Sequence, residues 1–281
     1  MYINELMLEI TRRCNLECPH CLRGDAERKE MSRELLLRIF SDIDNVGTLT
    51  LTGGEPFMAL DVIEDIFTVL DSKDINIQTI WICTNGRKFN SKIKKIINRF
   101  EYYADEVYVK ISTDKFHPRK YNGKFEHWLL NKQERCENFY TGHHGPGTRG
   151  EFGLSNPTLL ALGRATVTHP SRLEPMTYNM IDRITDDDDN IYWADLLYVN
   201  TYGDMFSECD LSFNIQRNYP VFRLGNMLTP ESLEFKLRRG YKNFSRKFRD
   251  RSFKLMEEYS GNVLVDNKWI KANTSDLIFI D

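Results

Sequence analysis

Strand-like and helix-like segments alternate along the first 114 residues of this 281-residue chain. Runs rich in β-branched and aromatic residues predict strands, and the segments between them carry apolar residues at helical spacing. The predicted strands are residues 5–11, 46–56, 75–86 and 105–114, and the predicted helices are residues 32–44 (with Ser32 as N-cap), 60–72 and 91–100. Repeated βα units of this length predict an α/β fold with a parallel sheet, open or closed into a barrel, and right-handed crossovers.

The second half of the chain is less regular. The run TGHHGPGTRGEFG is rich in Gly and Pro and predicts a long loop over residues 141–153, and long loops in compact enzymes often act as lids or binding segments. The other predicted elements are a helix around residues 124–139, a fifth strand over 158–167, and a strand, turn and returning strand over 195–213.

Charge and hydropathy narrow the class of protein. The formal net charge is −3, so no global basic field indicates nucleic acid or an anionic membrane. No run reaches the roughly 20 apolar residues of a membrane span, and the first residues lack the pattern of a signal peptide. We therefore expect a cytoplasmic location, where thiols stay reduced and clustered cysteines indicate a metal or catalytic site.

Half of the six cysteines lie in one short stretch. Cys14, Cys18 and Cys21 stand in TRRCNLECPHCLRG, directly after the first predicted strand, with the spacing C-x3-C-x2-C. Iron–sulfur clusters are usually held by four thiolates, and a site with three protein ligands keeps one position open for chemistry. The remaining cysteines at positions 83, 136 and 209 are scattered, and nothing in the sequence requires one of them as a fourth ligand.

Three interpretations of this stretch stay open on the residues alone. A four-iron cubane held by three thiolates would leave one iron free for a substrate or cofactor. A zinc ion would take His20 or a distant histidine as its fourth ligand, although structural zinc usually shows a second pair of ligands that is absent here. The third interpretation is three unrelated cysteines.

The cysteine spacing after the first strand resembles the signature of the radical S-adenosylmethionine superfamily. The resemblance implies a partial (β/α)6 TIM-like barrel of parallel strands over residues 1–200 and a small C-terminal extension of hairpin and helices over residues 201–281. It implies that Cys14, Cys18 and Cys21 hold a [4Fe–4S] cluster whose unique iron chelates S-adenosylmethionine. One electron, from a reductant such as flavodoxin or ferredoxin, then releases a 5′-deoxyadenosyl radical that abstracts a substrate hydrogen.

A second stretch, LTLTGGEP, resembles the GGE signature of the same family at the end of the second strand. The resemblance implies that Gly53 and Gly54 let the backbone approach a ligand closely, and that Glu55 supplies an anion or its carbonyl to a bound ammonium. The alternative interpretation is a plain strand-to-helix turn in which Pro56 begins the helix.

Weaker resemblances extend to later strands. His20 stands where the family often has an aromatic residue. The resemblance also implies that Thr84 and Asn85, in WICTNG at the end of the third strand, lie near the methionine or the substrate. Ser112 and Asp114 fit contacts to the ribose hydroxyls, and Arg164 fits a fork that pairs with the S-adenosylmethionine carboxylate. The alternatives are an Asn-Gly turn at residues 85–86 and a structural ion pair for the arginine.

Residues 198–227 resemble the start of a SPASM-type extension, as in peptide-modifying members of the superfamily. That extension normally carries more cysteines, and only Cys209 is present here; it is a candidate hydrogen-atom donor to a substrate radical. Modification of a peptide or protein side chain is therefore the leading hypothesis for the substrate. The alternative is a small molecule or nucleotide whose anionic group meets His143, His144 and Arg149, and a non-catalytic zinc or iron–sulfur module is the second alternative.

Overall fold

The computed structural model describes residues 1–113, 121–144, 159–160, 162–168, 173–179, 184–187, 190–247, 252–273 and 279–280. Two of the predicted site residues, Asp114 and Arg149, lie outside these ranges, and so do residues 145–153 of the predicted long loop.

The first half consists of strands and helices in strict alternation. These elements are β1 (Tyr2–Thr11), α1 (Arg33–Ile39), β2 (Asn45–Gly53), α2 (Leu60–Ser72), β3 (Asn76–Thr84), α3 (Ser91–Phe100), β4 (Glu106–Ser112), α4 (Gly123–Gln133) and β5 (Phe139–His144). A 3-10 turn, Pro56–Met58, links β2 to α2.

Shorter elements make up the second half. They are β6 (Leu159–Leu160), α5 (Ala165–Thr168), β7 (Leu173–Glu174), β8 (Met176–Asn179), β9 (Ile184–Asp187), β10 (Asn190–Val199), β11 (Asp204–Phe206), α6 (Phe213–Asn218), β12 (Gly225–Asn226), α7 (Leu233–Lys247), β13 (Ser252–Glu257), β14 (Val263–Val265), β15 (Lys268–Ile270) and β16 (Phe279–Ile280). A 3-10 turn, Pro220–Phe222, lies between α6 and β12.

Six parallel strands form the centre of the main sheet, in the order β10-β1-β2-β3-β4-β5. β11 and β12 extend the β10 side in antiparallel fashion, and β9 also pairs with β10. Within the described residues no hydrogen-bonded pairing joins β5 to the opposite edge. The structure is thus α/β with a mostly parallel central sheet, as the sequence predicts. The sixth parallel strand lies beside β1 and not beside β5.

Strand alternation divides the residues of the sheet between two faces. On one face, aliphatic side chains of β1 to β4 such as Leu8, Leu51, Ile82 and Val109 are fully buried, in one core with the apolar sides of α1, α2 and α3. Ser32 caps α1, because its hydroxyl accepts a 3.2 Å hydrogen bond from the Leu35 amide. Burial of these aliphatic stripes is the main source of stability in such a layered arrangement.

A smaller antiparallel sheet, in the order β16-β15-β14-β13-β8, packs its apolar residues into the same core. Tyr178 of β8 and Phe253 of β13 stack with 4.8 Å between ring centroids, and Phe222 lies against both. One strand of this sheet comes from before residue 200 and the others come from after it. The proposed domain boundary at residue 200 stays a prediction.

Three expectations for the second half are wrong. Residues 158–167 do not form the fifth parallel strand, because β6 has two residues and α5 begins at Ala165. The fifth parallel strand is β5, and its residues 141–144 belong to the predicted loop. Ladder bonds to β4 keep this glycine-containing run extended, which shows tertiary pairing overriding local composition. Helix α4 ends at Gln133 and not near 139, because the chain must turn there into β5.

Candidate active site at the cysteine loop

The loop that follows β1, residues 12–25, is here called the cysteine loop. Its three cysteines are all partly buried. The Leu16 amide donates to Cys14 Sγ at 3.4 Å, and the amides of Cys21 and Gly24 donate to the carbonyls of Cys18 and Cys21 at 3.1 and 3.2 Å. Burial raises the pKa of the Cys14 thiol. Short local turns therefore bring the three thiols onto one compact segment at the carboxyl end of β1.

The spacing of the three thiols can be compared with what each metal alternative requires. Around one tetrahedral zinc, with Zn–S near 2.3 Å, the sulfur atoms lie within about 4 Å of one another. The three thiols of the cysteine loop are not all within 4.8 Å of one another; among the described residues, the group of three metal-ligating side chains that is so close is Glu208, Cys209 and Asp210. Three thiols on one loop are compatible with a polynuclear iron–sulfur cluster, and the choice between that cluster and zinc stays a prediction.

Gly53 and Gly54 pack directly against the start of the cysteine loop. The Gly54 amide donates to the Thr11 carbonyl, and the Glu55 amide donates to the Arg13 carbonyl, both at 2.8 Å. A Cβ atom on Gly53 would lie 2.0 Å from the Thr11 oxygen, and one on Gly54 would lie 2.2 Å from the Arg13 oxygen. The glycines are needed because two backbone segments meet here. This requirement exists before any ligand is considered.

The Glu55 carboxylate is almost fully buried and ties the ends of β2 and β3 together. It accepts hydrogen bonds from the Thr84 hydroxyl and the Asn85 amide, both at 2.7 Å, and from the Phe57 amide at 3.1 Å. Burial raises the pKa of Glu55, and the three donors oppose that shift. In this arrangement the carboxylate organises the strand ends. Its predicted contact with a bound ammonium stays a prediction.

Asn85 and Ser112 lie at the same end of the sheet as the cysteines. The Asn85 side-chain amide donates to Asn15 Oδ1 at 2.8 Å and lies 3.9 Å from Cys14 Sγ, so the end of β3 contacts the first cysteine. Ser112 is partly exposed on the face of β4 that also carries Lys110. The structure thus brings Asn85 to the cysteine loop. It places Ser112 at the end of β4, and the cofactor contacts of both residues stay predictions.

Arg164 contacts the cysteine loop itself. Its two terminal nitrogens donate to the carbonyls of Cys18 at 3.3 Å and Gly24 at 3.0 Å, and its Nε lies 2.9 Å from the Asp25 carboxylate. These contacts match the structural ion pair that the sequence left open as an alternative. His20 is partly buried within the same loop, and neither residue's predicted role toward S-adenosylmethionine is decided by these contacts.

A buried ionic network beneath the loop was missed by the sequence analysis. Glu9 and Arg12 are almost fully buried, and Arg12 Nε donates to Glu9 Oε1 at 2.7 Å. Arg12 also donates to Gln216 at 2.5 Å and Glu27 at 3.3 Å, and the Tyr198 hydroxyl donates to Glu9. A glutamate within the apolar run of the first strand, three residues before an arginine, is the signal that would have indicated this network.

Cys209 lies in a strongly acidic setting. Its Sγ is 3.5 Å from Glu208 Oε1 and 3.7 Å from Asp210 Oδ1. Burial, followed by the charges of Asp210 and Glu208, raises the pKa of Cys209 well above its usual value, and burial next to Asp210 raises the pKa of Glu208 to about 7. The thiol is therefore held protonated. A hydrogen-atom donor needs that S–H bond.

The sheet face opposite the aliphatic core carries a row of aromatic rings. Trp81, Tyr108 and Tyr140 pair in register across β3, β4 and β5, and successive ring centroids are 5.0 and 4.5 Å apart. Lys110 Nζ lies 5.7 Å from the Trp81 ring and 5.5 Å from the Tyr108 ring. Trp81 Nε1 donates to Cys83 Sγ at 3.1 Å. This face is amphipathic, whereas the opposite face is aliphatic.

Comparison with known proteins identifies the family to which this arrangement is similar. Residues 8–135 match the family model described as the Radical SAM superfamily. The chain is 37% identical over 89 residues to a probable GTP 3′,8-cyclase of Methanothermobacter thermautotrophicus, an alignment that covers 30% of this chain and 28% of that protein. It is 32% identical over 79 residues to the PqqA peptide cyclase of Bradyrhizobium diazoefficiens, covering 26% and 20% of the two chains.

A solved structure described as native anSMEcpe with bound AdoMet and Cp18Cys peptide has a TM-score of 0.46 and 13% identity, covering 86% of this chain and 83% of that one. The first curated relatives are matched over about a third of their length, between 28% and 36%. In the part of the chain that the structure describes, no helix is long and apolar enough to cross a membrane.

Proposed function

We propose that this chain, whose residues 8–135 match the Radical SAM superfamily model, is an enzyme that reductively cleaves S-adenosylmethionine at a [4Fe–4S] cluster. The observation that carries the proposal is the set of three thiols on the cysteine loop, supported by close backbone packing against Gly53 and Gly54. When bound, the cluster would supply the electron that produces a 5′-deoxyadenosyl radical from S-adenosylmethionine. A flavodoxin or ferredoxin as reductant and a cytoplasmic location belong to the same proposal.

The chain's own residues then have distinct tasks. Cys14, Cys18 and Cys21 would hold the cluster, and Asn85, which lies 3.9 Å from Cys14 Sγ, would stand beside it. The Glu55 carboxylate keeps the ends of β2 and β3 together, and Ser112 offers a hydroxyl at the next strand end. Arg164 holds the loop carbonyls. His20 and Asp114 keep their predicted places near S-adenosylmethionine within this proposal.

Modification of a peptide or protein side chain is the favoured reaction. Its support is the resemblance of the tail to a SPASM-type extension, in which β10, the turn at Tyr202 and β11 form the predicted hairpin. One relative is named a PqqA peptide cyclase, which is consistent with this class of substrate. A protonated Cys209 thiol could return a hydrogen atom to a substrate radical, as epimerisation requires.

Radical modification of a nucleotide or other small molecule is the alternative. Several relatives are named GTP 3′,8-cyclases, and they are matched over 30% to 42% of this chain. In the structure, Lys110 stands among stacked aromatic rings on the amphipathic sheet face. A cation beside aromatic surface suits an anionic ligand with a flat ring.

Anaerobic reconstitution with iron and sulfide tests the proposal. We expect about four irons and four sulfides per chain, as the [4Fe–4S] assignment implies, and 5′-deoxyadenosine after addition of dithionite and S-adenosylmethionine. Cys14→Ala, Cys18→Ala or Cys21→Ala should lose most of the iron, while Cys136→Ala serves as the matched control because its Sγ contacts Lys132 away from the loop. Stoichiometric zinc binding without iron uptake would instead support a non-catalytic module.

The role of Cys209 has a separate test. Cys209→Ala should leave cleavage of S-adenosylmethionine intact and abolish turnover of a peptide substrate that needs a returned hydrogen atom. Cys83→Ala is the control, because that thiol is likewise partly buried and has its pKa raised, to about 11, chiefly by desolvation. Unchanged turnover in Cys209→Ala would reject this role without affecting the cluster assignment.

A further inference from the structure

Residues 163–168, here called the clasp, lie over the second half of the cysteine loop. The clasp donates hydrogen bonds to four backbone carbonyls of that loop. These bonds run from Arg164 Nη1 to Cys18 (3.3 Å), from Thr168 Oγ1 to Pro19 (2.6 Å), from the Arg164 amide to Cys21 (3.0 Å) and from Arg164 Nη2 to Gly24 (3.0 Å). The carbonyls of Cys18 and Cys21 also accept the internal bonds from the Cys21 and Gly24 amides. The clasp therefore adds outside donors to a loop that already turns on itself, and each added bond further restricts its peptide orientations.

The fit at Gly163 is as close as that at the GGE glycines. Gly163 has a φ of +57°, and a Cβ atom there would lie 2.3 Å from the Leu22 carbonyl oxygen and 2.5 Å from the Cys21 carbonyl oxygen. Both the positive φ and the close backbone approach require glycine at this position. The backbone of the clasp therefore lies directly against the backbone of the third cysteine.

The opposite side of the clasp is anchored in the second half of the chain. The Gly163 amide donates to Glu257 Oε2 at 2.8 Å, and Asn214 donates to Glu257 Oε1 at 2.6 Å. Leu162 and Ala165 beside these contacts are buried. The clasp thus connects β13 and α6 to the cysteine loop. These contacts come from residues outside the cysteine and GGE signatures.

We propose that the clasp fixes the positions of Cys18 and Cys21 before the cluster binds. Arg164 is then a positioning residue, because its guanidinium donates to loop carbonyls instead of binding S-adenosylmethionine. The proposal rests on the proposed function only in naming a cluster as the group that the thiols receive. A loop ordered in advance does not lose its conformational freedom on binding, which strengthens retention of whatever it holds.

The first experiment uses the reduced, metal-free chain and needs no cluster. N-ethylmaleimide labelling is followed by peptide mass spectrometry, and the rates at Cys18 and Cys21 are divided by the rate at Cys136 in the same chain. Arg164→Ala should raise these ratios roughly tenfold, because three charge-assisted contacts that close the loop are lost. Arg164→Lys, which keeps the charge but not the fork, should give an intermediate increase.

Arg38→Ala is the matched control. The Arg38 guanidinium also donates to two backbone carbonyls, those of Pro230 and Glu231, and it lies 3.7 Å from the Asp42 carboxylate. Its removal should leave the labelling ratios unchanged. If the ratios are also unchanged in both Arg164 variants, with unfolding midpoints equal to that of the wild type, the clasp proposal is overturned.

The second experiment uses the reconstituted protein and measures iron release to a chelator together with S-adenosylmethionine affinity. Faster iron release in Arg164→Ala supports the clasp. Unchanged labelling and iron release with weakened S-adenosylmethionine binding overturns it and assigns Arg164 to the cofactor. If the wild type takes up no iron, the proposed function fails, and the labelling ratios still decide the clasp.

Discussion

The two ends of the cysteine loop are supported in different ways. The entry end, residues 12–14, is held by Arg12 in a fully buried ionic network and by the glycines at the end of β2. The exit end, residues 21–25, is held by donors from the clasp and by Arg23, which donates to the Leu211 carbonyl at 2.8 Å. The entry end is therefore held by contacts of the buried core. The exit end is held by a few contacts from segments that are distant in the sequence. Changes at the two ends should affect different quantities.

Arg12→Met should produce the largest effect. It leaves Glu9, a fully buried carboxylate, without its main counter-ion, and breaking a buried pair by removing one partner costs about 3–5 kcal/mol. Denaturant unfolding monitors the loss. Arg13→Ala is the control, because the Arg13–Glu30 pair is about one-third to two-fifths exposed and should contribute less than about 1 kcal/mol. Equal losses in both variants would contradict the assignment of the entry end to the core.

Gly54→Ala should be next in size. The new Cβ would meet the Arg13 carbonyl at 2.2 Å, so two backbones must separate, at a cost of about 3 kcal/mol. Gly123→Ala is the matched control, because nothing lies within 4 Å of a Cβ there and the change should be within about 0.5 kcal/mol of neutral. Thermal unfolding of both variants gives the comparison. A neutral Gly54→Ala would show that the close approach is not needed for folding.

Glu208→Gln tests the segment near Leu211, to which Arg23 of the exit end donates, through the pH dependence of the unfolding free energy. Burial raises the pKa of Glu208 from 4.5 to about 7, so the folded state binds this proton more tightly than the unfolded state does. Its contribution to stability is complete below pH 4.5 and is lost as pH rises through about 7, a change of at most about 3 kcal/mol. The variant should be more stable than the wild type at pH 8 and should have a flatter profile between these values.

The control for that profile is Glu234→Gln, whose carboxylate is half exposed and pairs with Arg238 one helical turn away. It should keep the wild-type dependence of unfolding free energy on pH. If Glu208→Gln keeps it as well, the buried carboxyl does not titrate as the structure indicates.

Thr168→Val should have the smallest effect on global stability, within about 0.5 kcal/mol, because the residue is exposed and the change is nearly isosteric. It nevertheless removes one donor to the Pro19 carbonyl. Hydrogen exchange at the Cys21 and Gly24 amides should therefore accelerate. Thr68→Val, which removes a hydroxyl bond to the Glu64 carbonyl within α2, should leave those two amides unchanged.

The regular part of the fold was accessible from the sequence because its signals are local. Helices α2 and α3 were predicted with the bounds that the structure has, since their apolar residues repeat at helical spacing over many positions. The location of β5 was not predicted, because its glycine and histidines read as loop and only pairing with β4 makes them a strand. The error at residues 158–167 has a different cause. A short apolar run carries no clear period, so it does not distinguish a strand from a helix.

The family resemblance and the group of thiols were determined by the sequence itself, because three cysteines and two glycines at short spacing specify chemistry without reference to distant residues. Only the tertiary structure decided what surrounds them. It placed Arg12 in a buried network with Glu9 and Gln216, and it placed Arg164 on the loop carbonyls of residues more than a hundred positions earlier. Contacts between remote segments arise when packing closes the chain, and no local pattern records them.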